Sequence, residues 1–377
     1  MRNLFFYGTL RHLPLLEVVL GRRFDGTDVA EATLRDYRVS AVAEGPFPMI
    51  EPWRGDSATG ILVCGLTSHD IARLDFYEGS FAYDLCEVTL AQGQRAEVYV
   101  PHPGLWTPDG PWSLEEWTRR SGQMSVIAAR EVMSYLGERD RDTVAAMFPV
   151  IRARAASQMR AAQSLHGSDC FHGRIEIEAR SRPYSEFYAL DDLKLRHARF
   201  DGTMSETLDR AVLVGSDAAL VLPYDPVRDR VLLVEQVRLG PIGRGDRTQW
   251  QLEPIAGRID PGETPEEAVR REAIEEAGLR LGRLEKVAEA YPSPGTSSEF
   301  YYIYLGLADL PDAVSGAGGL AHENEDIRSH LMSFDDLMAR TERFDLGNAP
   351  LVLGVYYLAR HRDRLRSEGA GDRPEDE

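Results

Sequence analysis

The stretch from Gly257 to Leu279 limits the possible folds of this chain more than any other. Pro261-Gly262 is a turn pair, after which Thr264 offers an N-cap hydroxyl, Pro265 suits the first helical position and Glu267 closes a capping box. These residues predict a helix that starts at Thr264. Ala268, Val269, Ala273, Ile274 and Ala277 supply its apolar positions, and Gly278 fits a C-terminal cap. Glu272, Glu275 and Glu276 stand at i, i+3 and i+4, so their carboxylates share one face of that helix. Crowded like charges repel. A solvated acidic face tolerates such crowding, and so does a site where a hard divalent cation neutralises it; oxygen ligands of this kind suit Mg²⁺ or Mn²⁺.

The spacing favours the second reading. A glycine, five residues, a glutamate, seven residues, Arg-Glu, an apolar and a free position, Glu-Glu, a free position, glycine and an apolar residue follow one another without a gap. That order matches the Nudix box, and the chain resembles the Nudix hydrolases. The resemblance implies an α/β/α sandwich built around the box helix.

Composition sets the outer limits. The chain has 377 residues, enough for two domains with their own cores. Its 61 acidic against 43 basic residues give a formal charge of -18, which argues against binding nucleic acid or an anionic membrane. Cys64, Cys86 and Cys170 are widely spaced without a metal-ligand pattern, and read as free thiols in a reducing cytoplasm. No signal peptide and no apolar run of about 18 residues is expected, so no membrane span. The sequence reads as four segments: a mixed α/β domain at 1–118, a helical linker at 119–168, a second domain at 169–363, and a disordered acidic tail at 364–377.

In the first segment, Asn3 to Tyr7 reads as a buried strand and Gly60 to Leu66 as another, with a short helix from Ser68 to Tyr77 and a hairpin from Val88 to Val100. Tyr7-Gly8-Thr9-Leu10 alone signals only a turn. Taken with Phe47-Pro48-Met49-Ile50, with Leu74 to Gly79 and Tyr83, and with Trp106 to Trp112, it resembles the γ-glutamylcyclotransferase-like (AIG2-like) family. The resemblance implies a small mixed β-barrel/α fold. It also implies that the backbone of Tyr7, Gly8, Thr9 and Leu10 binds substrate and that Glu78 is the catalytic acid and base. Residues 125–162 have apolar side chains at helical intervals, and Arg152, Arg154 and Arg160 there read as solvated or ion-paired.

Strands are expected again from Gly173 to Ala179, Leu193 to Phe200, Thr207 to Val214, Ala218 to Tyr224 and Val231 to Arg238. After the box come Glu285 to Tyr291, Phe300 to Leu307 and Ile327 to Ser333, then a helix from Asn348 to Arg360. Several words outside the box, Glu235 to Arg238, Leu252 to Gly257, Ser293 to Glu299 and His322 to Ile327, resemble the ADP-ribose pyrophosphatases of the Nudix superfamily. That subfamily includes bacterial members labelled as tellurite-resistance proteins, and its mark is a proline some fifteen residues past the box, here Pro294.

By that resemblance, Glu272, Glu276, Glu325 and the Ala256 carbonyl hold Mg²⁺, with Mn²⁺ as an alternative. Glu323 activates the attacking water, and Glu275 and Arg271 complete the catalytic set, Arg271 pairing with the box carboxylates while Glu263 braces the loop. Arg238, Arg210, Arg258, Ser293, Pro294, Gly295, Glu299 and Phe187 contact substrate, with Phe187 or Tyr188 available to stack on adenine; a core role for Phe187 and an ion pair for Arg238 remain equally open. A cytoplasmic homodimer that hydrolyses ADP-ribose to AMP and ribose 5-phosphate is the implied function. Other nucleoside diphosphate sugars as substrate, cyclotransfer as the main activity, and a non-catalytic ADP-ribose sensor are the alternatives.

Overall fold

The computed structural model describes residues 1–24, 28–78, 83–164, 170–314, 317–318 and 326–371. The chain divides into two compact units, Met1–His166 and Gly167–Glu377.

The first unit is organised by a sheet of six strands: β1 (Arg2–Phe6), β2 (Val29–Val42), β3 (Gly45–Leu66), β4 (Tyr83–Thr89), β5 (Arg95–Pro101) and β6 (Pro108–Pro111), in the order β4-β5-β1-β3-β2-β6. Where a small barrel was expected, the described residues pair along this path with no β4–β6 ladder. The strand expected at Gly60 to Leu66 is the last third of β3, which pairs antiparallel with β1 on one side and β2 on the other. Gly60 permits that crowding: a Cβ there would lie 2.3 Å from the Phe6 carbonyl oxygen. Helices α1 (Leu13–Leu20) and α2 (Ser68–Glu78) belong to this unit.

Residues 119–168 depart from the expectation of a linker. After α3 (Leu114–Trp117) and a π-helical turn at Thr118–Gly122 come α4 (Gln123–Ser134), α5 (Arg141–Ala146) and α6 (Phe148–Gln163). Val126, Ala129, Val132, Val144, Ile151 and Ala155 of these helices share one apolar cluster with Leu4, Leu15, Leu16, Leu66 and Leu74. Burying such side chains is worth roughly 1.5–3 kcal/mol each, which is why an apolar helical stripe docks rather than stands free. Arg154 is buried with them and pairs with Glu131, at 3.1 Å from Nε to Oε1.

The second unit has two sheets. β7 (Ile175–Ser185), β8 (Ala189–His197) and β9 (Leu208–Val214) form an antiparallel meander. The larger, mixed sheet contains β10 (Ala218–Asp225), β11 (Arg230–Val237), β12 (Trp250–Glu253), β13 (Ile255–Arg258), β14 (Leu284–Ala290), β15 (Tyr301–Leu307), β16 (Ala317–Gly318) and β17 (Ile327–Ser333). Its main path runs β14-β15-β10-β11-β17-β16, with β10 and β15 parallel. The short helix α7 (Leu239–Arg244) follows β11, the box helix is α8 (Pro265–Ala277), and α9 (Phe334–Glu342) and α10 (Ala349–Gly371) close the chain.

Alternation along the central strands gives the sandwich its layers. Ala219, Val221, Leu232 and Val234 pack with Ala268, Val269 and Ala273 of α8, whereas Leu222, Tyr224, Val231 and Leu233 pack with Leu337, Leu351, Val355 and Leu358 of α9 and α10. Successive side chains point to opposite faces of a strand, so apolar runs in β10 and β11 mean that both faces are covered. The tail expected from residue 364 is helical through Gly371: Leu365 is buried in the same core and Glu368 pairs with Arg283. Residues 372–377 lie outside the described residues.

Candidate active sites

Strands β10 and β11 pair only at Tyr224↔Val231 and Asp225↔Arg230, then part. β13 continues the ladder of β10 and β12 that of β11, so one segment bridges the split sheet. Pro254, which has no amide hydrogen to donate, separates the two short strands. This bridge leads into the box, whose first residues, Gly257 and Arg258, end β13.

Helix α8 is fixed at both ends by the residues that predicted it. Thr264 Oγ1 accepts from the Glu267 amide at 3.2 Å, Glu267 Oε2 accepts from the Thr264 amide at 2.8 Å, and Gly278 closes the helix at φ 61°. Gly257 is needed for close approach: a Cβ there would lie 1.8 Å from Glu272 Oε1.

Arg271 is the hub of the carboxylates. Its Nε donates to Glu263 Oε1 at 3.0 Å, Nη1 to Glu272 Oε1 at 2.6 Å and to Glu275 Oε2 at 3.0 Å, and Nη2 to Glu263 Oε2 and the Arg258 carbonyl at 3.0 Å each. The hydrogen bonds to Glu263 first, and the charge of Glu272 with them, hold this guanidinium well above its ordinary pKa. Glu276 is buried at 2% exposure, with the Ala256 amide 3.4 Å from its Oε2. Among the described residues no group of three or more His, Cys, Asp or Glu is arranged to hold a metal ion, and Glu263, Glu272 and Glu275 are ion-paired with Arg271. The donor chemistry fits a hard cation all the same: carboxylate oxygens and a backbone carbonyl, with no thiol or imidazole among them. Glu323 and Glu325 lie outside the described residues.

The expected substrate contacts of the second unit fall into one linked cluster, one turn and one outlier. Arg258 stacks its guanidinium 4.3 Å from the centre of the exposed Phe187 ring, so Phe187 is not a core residue; Phe187 in turn meets Tyr188 edge-on. Tyr188 hydrogen-bonds Glu299, whose carboxyl burial pushes up, and both feel the charge of Arg238. Arg238 is itself ion-paired, Nε to Glu253 Oε2 at 2.8 Å, while Asn348 Nδ2 holds the other oxygen of Glu253 at 3.1 Å. Nothing in the spacing of Glu253 and Asn348, 95 residues apart, marked them as partners. Ser293, Pro294 and Gly295 form an exposed turn ahead of Ser297, which docks on β9 at Leu213. Arg210 is exposed on β9 and bonds the Asp209 carbonyl at 2.8 Å.

The first unit holds a cavity of about 420 Å³. Tyr7, Gly8, Thr9 and Leu10 line it, with Phe47, Pro48, Glu78 and Tyr83. Glu78 ends α2, and burial pushes its carboxyl up to about 7. Burial likewise raises the phenols of Tyr7, Tyr77 and Tyr83, which feel the charge of Glu78. Arg141, Phe148 and Arg152 also line this cavity; no local pattern pointed to them, since their helices bring them there only by docking.

Fold and site together define a class: a split mixed sheet between helical layers, with a capped acidic helix gathered on one arginine. A family model described as NUDIX domain matches residues 216–352, and one described as gamma-glutamyl cyclotransferase, AIG2-like matches residues 4–119. The chain is similar to an ADP-ribose pyrophosphatase of Escherichia coli (strain K12), 42% identical over 52% of this chain and 93% of that protein. It is similar to an ADP-ribose pyrophosphatase of Haemophilus influenzae at 35% identity, over 49% and 85% of the two chains. A GDP-mannose pyrophosphatase of Cronobacter sakazakii is 30% identical over 46% and 88%. The chain belongs to the Nudix family, with an AIG2-like gamma-glutamyl cyclotransferase domain ahead of its Nudix domain.

Proposed function

We propose that the second unit hydrolyses the pyrophosphate bond of ADP-ribose, giving AMP and ribose 5-phosphate. The observation that carries this reading is the frame in which Arg271 orders Glu263, Glu272 and Glu275 beside the buried Glu276 and the Ala256 backbone. Glu272, Glu276, Glu325 and the Ala256 carbonyl would hold Mg²⁺. When bound, the ion supplies charge neutralisation of the pyrophosphate and a lowered pKa for an attacking water. Arg271 orients the carboxylates through its hydrogen bonds to Glu263, Glu272 and Glu275. Glu323 takes the proton of the attacking water. Phe187, Tyr188 and Arg258 offer ring and guanidinium faces to a base, and Ser293 to Gly295 with Glu299 bind the terminal ribose. Arg238 reaches a phosphate once Glu253 shares its charge.

Product analysis with ADP-ribose, ADP-glucose, GDP-mannose and NADH in Mg²⁺ tests the substrate. AMP and ribose 5-phosphate formed from ADP-ribose in marked preference support the reading. Preference for GDP-mannose overturns it, and inactivity on all four favours an ADP-ribose sensor.

The unit acts as a homodimer. Ile175, Ile177 and Tyr184 on β7 are more than half exposed, an apolar edge that a second copy would cover. No helix of the described residues is long and apolar enough to cross a membrane.

A second reading concerns the first unit and rests on its cavity and on Glu78. A carboxyl near neutrality can take the proton of a substrate ammonium and return it. In γ-glutamyl cyclotransfer the freed amine attacks the γ-carbonyl carbon, the γ-amide C–N bond breaks, and the proton held by Glu78 passes to the leaving amine; 5-oxoproline and the amine are the products. Amides of Tyr7 to Leu10 stabilise the developing oxyanion.

A further inference from the structure

One wall of the cavity in the first unit lies beyond the segment that the cyclotransferase family model matches. That match ends at residue 119, whereas Val132 on α4, Arg141 and Val144 on α5, and Phe148 and Arg152 on α6 all line the cavity. These helices are held there by the apolar cluster they share with β1, α1 and α2, so their side chains are presented on a packed support.

The charges on that wall are of one sign. The charged side chains lining the cavity are Glu44, Glu78, Arg141 and Arg152. Glu44 is engaged by the Thr107 amide, which it accepts at 3.0 and 3.1 Å. Glu78 titrates close to neutrality. Both arginines come from the helical wall, in a chain whose formal charge is -18. Arg141 has an exposed side chain whose contact with Asp142 is a loose 3.5 Å, and the charge of Arg152 acts on the Tyr77 phenol, which lines the same cavity. A guanidinium presents a planar fork that matches a carboxylate in two parallel hydrogen bonds. Any γ-glutamyl compound carries one carboxylate on its glutamyl part, and it carries a second, on the leaving side, when the leaving amine is an amino acid or a peptide but not when it is a simple amine.

We propose that the helices α4–α6 are part of the binding site of the first unit, and that Arg141 and Arg152 select γ-glutamyl amino acids over γ-glutamyl compounds of simple amines. This rests on the cyclotransferase reading of that unit. The helical segment thereby acts as the specificity wall of the domain that precedes it.

The test uses the full chain and two probes, γ-glutamylalanine and γ-glutamylmethylamide, with release of 5-oxoproline as the rate and calorimetric titration as the binding measurement. The ratio of kcat/KM for the acidic over the neutral probe should fall roughly tenfold or more in the Arg141→Gln, Arg152→Gln double variant, mainly through KM, and recover in part in Arg152→Lys. Should Arg152→Gln fail to fold, Arg141→Gln alone, at an exposed position on α5, should lower the same ratio. A ratio equal in wild type and variants, or a wild-type preference for the methylamide, overturns the selection by arginine and leaves cyclotransfer standing. Absence of turnover with both probes, combined with γ-glutamylalanine binding that weakens in the double variant, overturns cyclotransfer alone. Absence of both turnover and binding overturns both.

Discussion

Two glutamate sites in this chain use the same functional group in opposite ways. Around α8, three carboxylates gather on one guanidinium: Glu263, just ahead of the helix, and Glu272 and Glu275 on it are hydrogen-bonded to Arg271, while Glu276, also on the helix, is buried. At the end of α2, Glu78 sits in an apolar and aromatic cavity, and desolvation is the cause of its shift to about 7. A cationic partner favours the ionised form, whereas burial penalises it. The first site thus holds its carboxylates on a guanidinium of the chain itself, whereas the second keeps a carboxyl whose proton is held close to neutrality. Residue type alone does not separate these roles; environment does.

The largest effect expected is at the buried carboxylate. Glu276→Gln should lower ADP-ribose hydrolysis by roughly a hundredfold or more, since a lost metal ligand removes several kcal/mol of charge stabilisation, while circular dichroism shows an unchanged fold. Near-normal turnover would remove Glu276 from the ligand set. Glu78→Gln should abolish 5-oxoproline release, a loss of about 10²- to 10⁴-fold for a general acid–base group, and leave hydrolysis of ADP-ribose intact. Loss of both activities together would dissolve the contrast between the two sites. Gly257→Ala should affect only the second unit: its Cβ would meet Glu272 Oε1 at 1.8 Å, so the carboxylate must move. We expect about a 10- to 100-fold loss of metal affinity, read by Mg²⁺ titration of activity.

The pH dependence sharpens the comparison further. Glu78 has a folded pKa near 7, above its ordinary value of 4.5, so the folded state holds this proton over a range in which the unfolded state has lost it. Its contribution to stability is thus present below about 4.5 and falls as the pH rises towards 7. Relative to wild type, Glu78→Gln should gain stability across that window in thermal melts, and wild-type cyclotransfer should show an acid limb near pH 7. An unshifted difference in melting temperature from pH 4.5 to 7 would return Glu78 to an ordinary carboxylate. The smallest effect is expected at the cap: Thr264→Ala should cost about 1 kcal/mol of stability in denaturant titration, with little change in either active site's chemistry.

What the sequence alone determined is local. The caps and apolar positions of α8 follow from Thr264, Pro265, Glu267 and Gly278, because a helix end must satisfy its own orphaned amides and carbonyls with nearby residues. The apolar runs of β10 and β11 announced strands, because strand formation follows the local run of apolar and β-branched side chains. Matters settled across long separations left no local trace. The pairing of Arg238 with Glu253 and of Glu253 with Asn348, the stacking of Arg258 on Phe187, and the β12–β13 bridge across the split sheet each depend on where distant elements pack. The helices at 123–163 are the clearest case. Their periodicity gave helices with apolar stripes, but whether those stripes faced a linker partner or the core of the first unit depended on the apolar surface that β1, α1 and α2 left uncovered. Docking there brought Arg141 and Arg152 to the cavity of Glu78, a juxtaposition that only tertiary packing creates, because burial of apolar area has no sequence range.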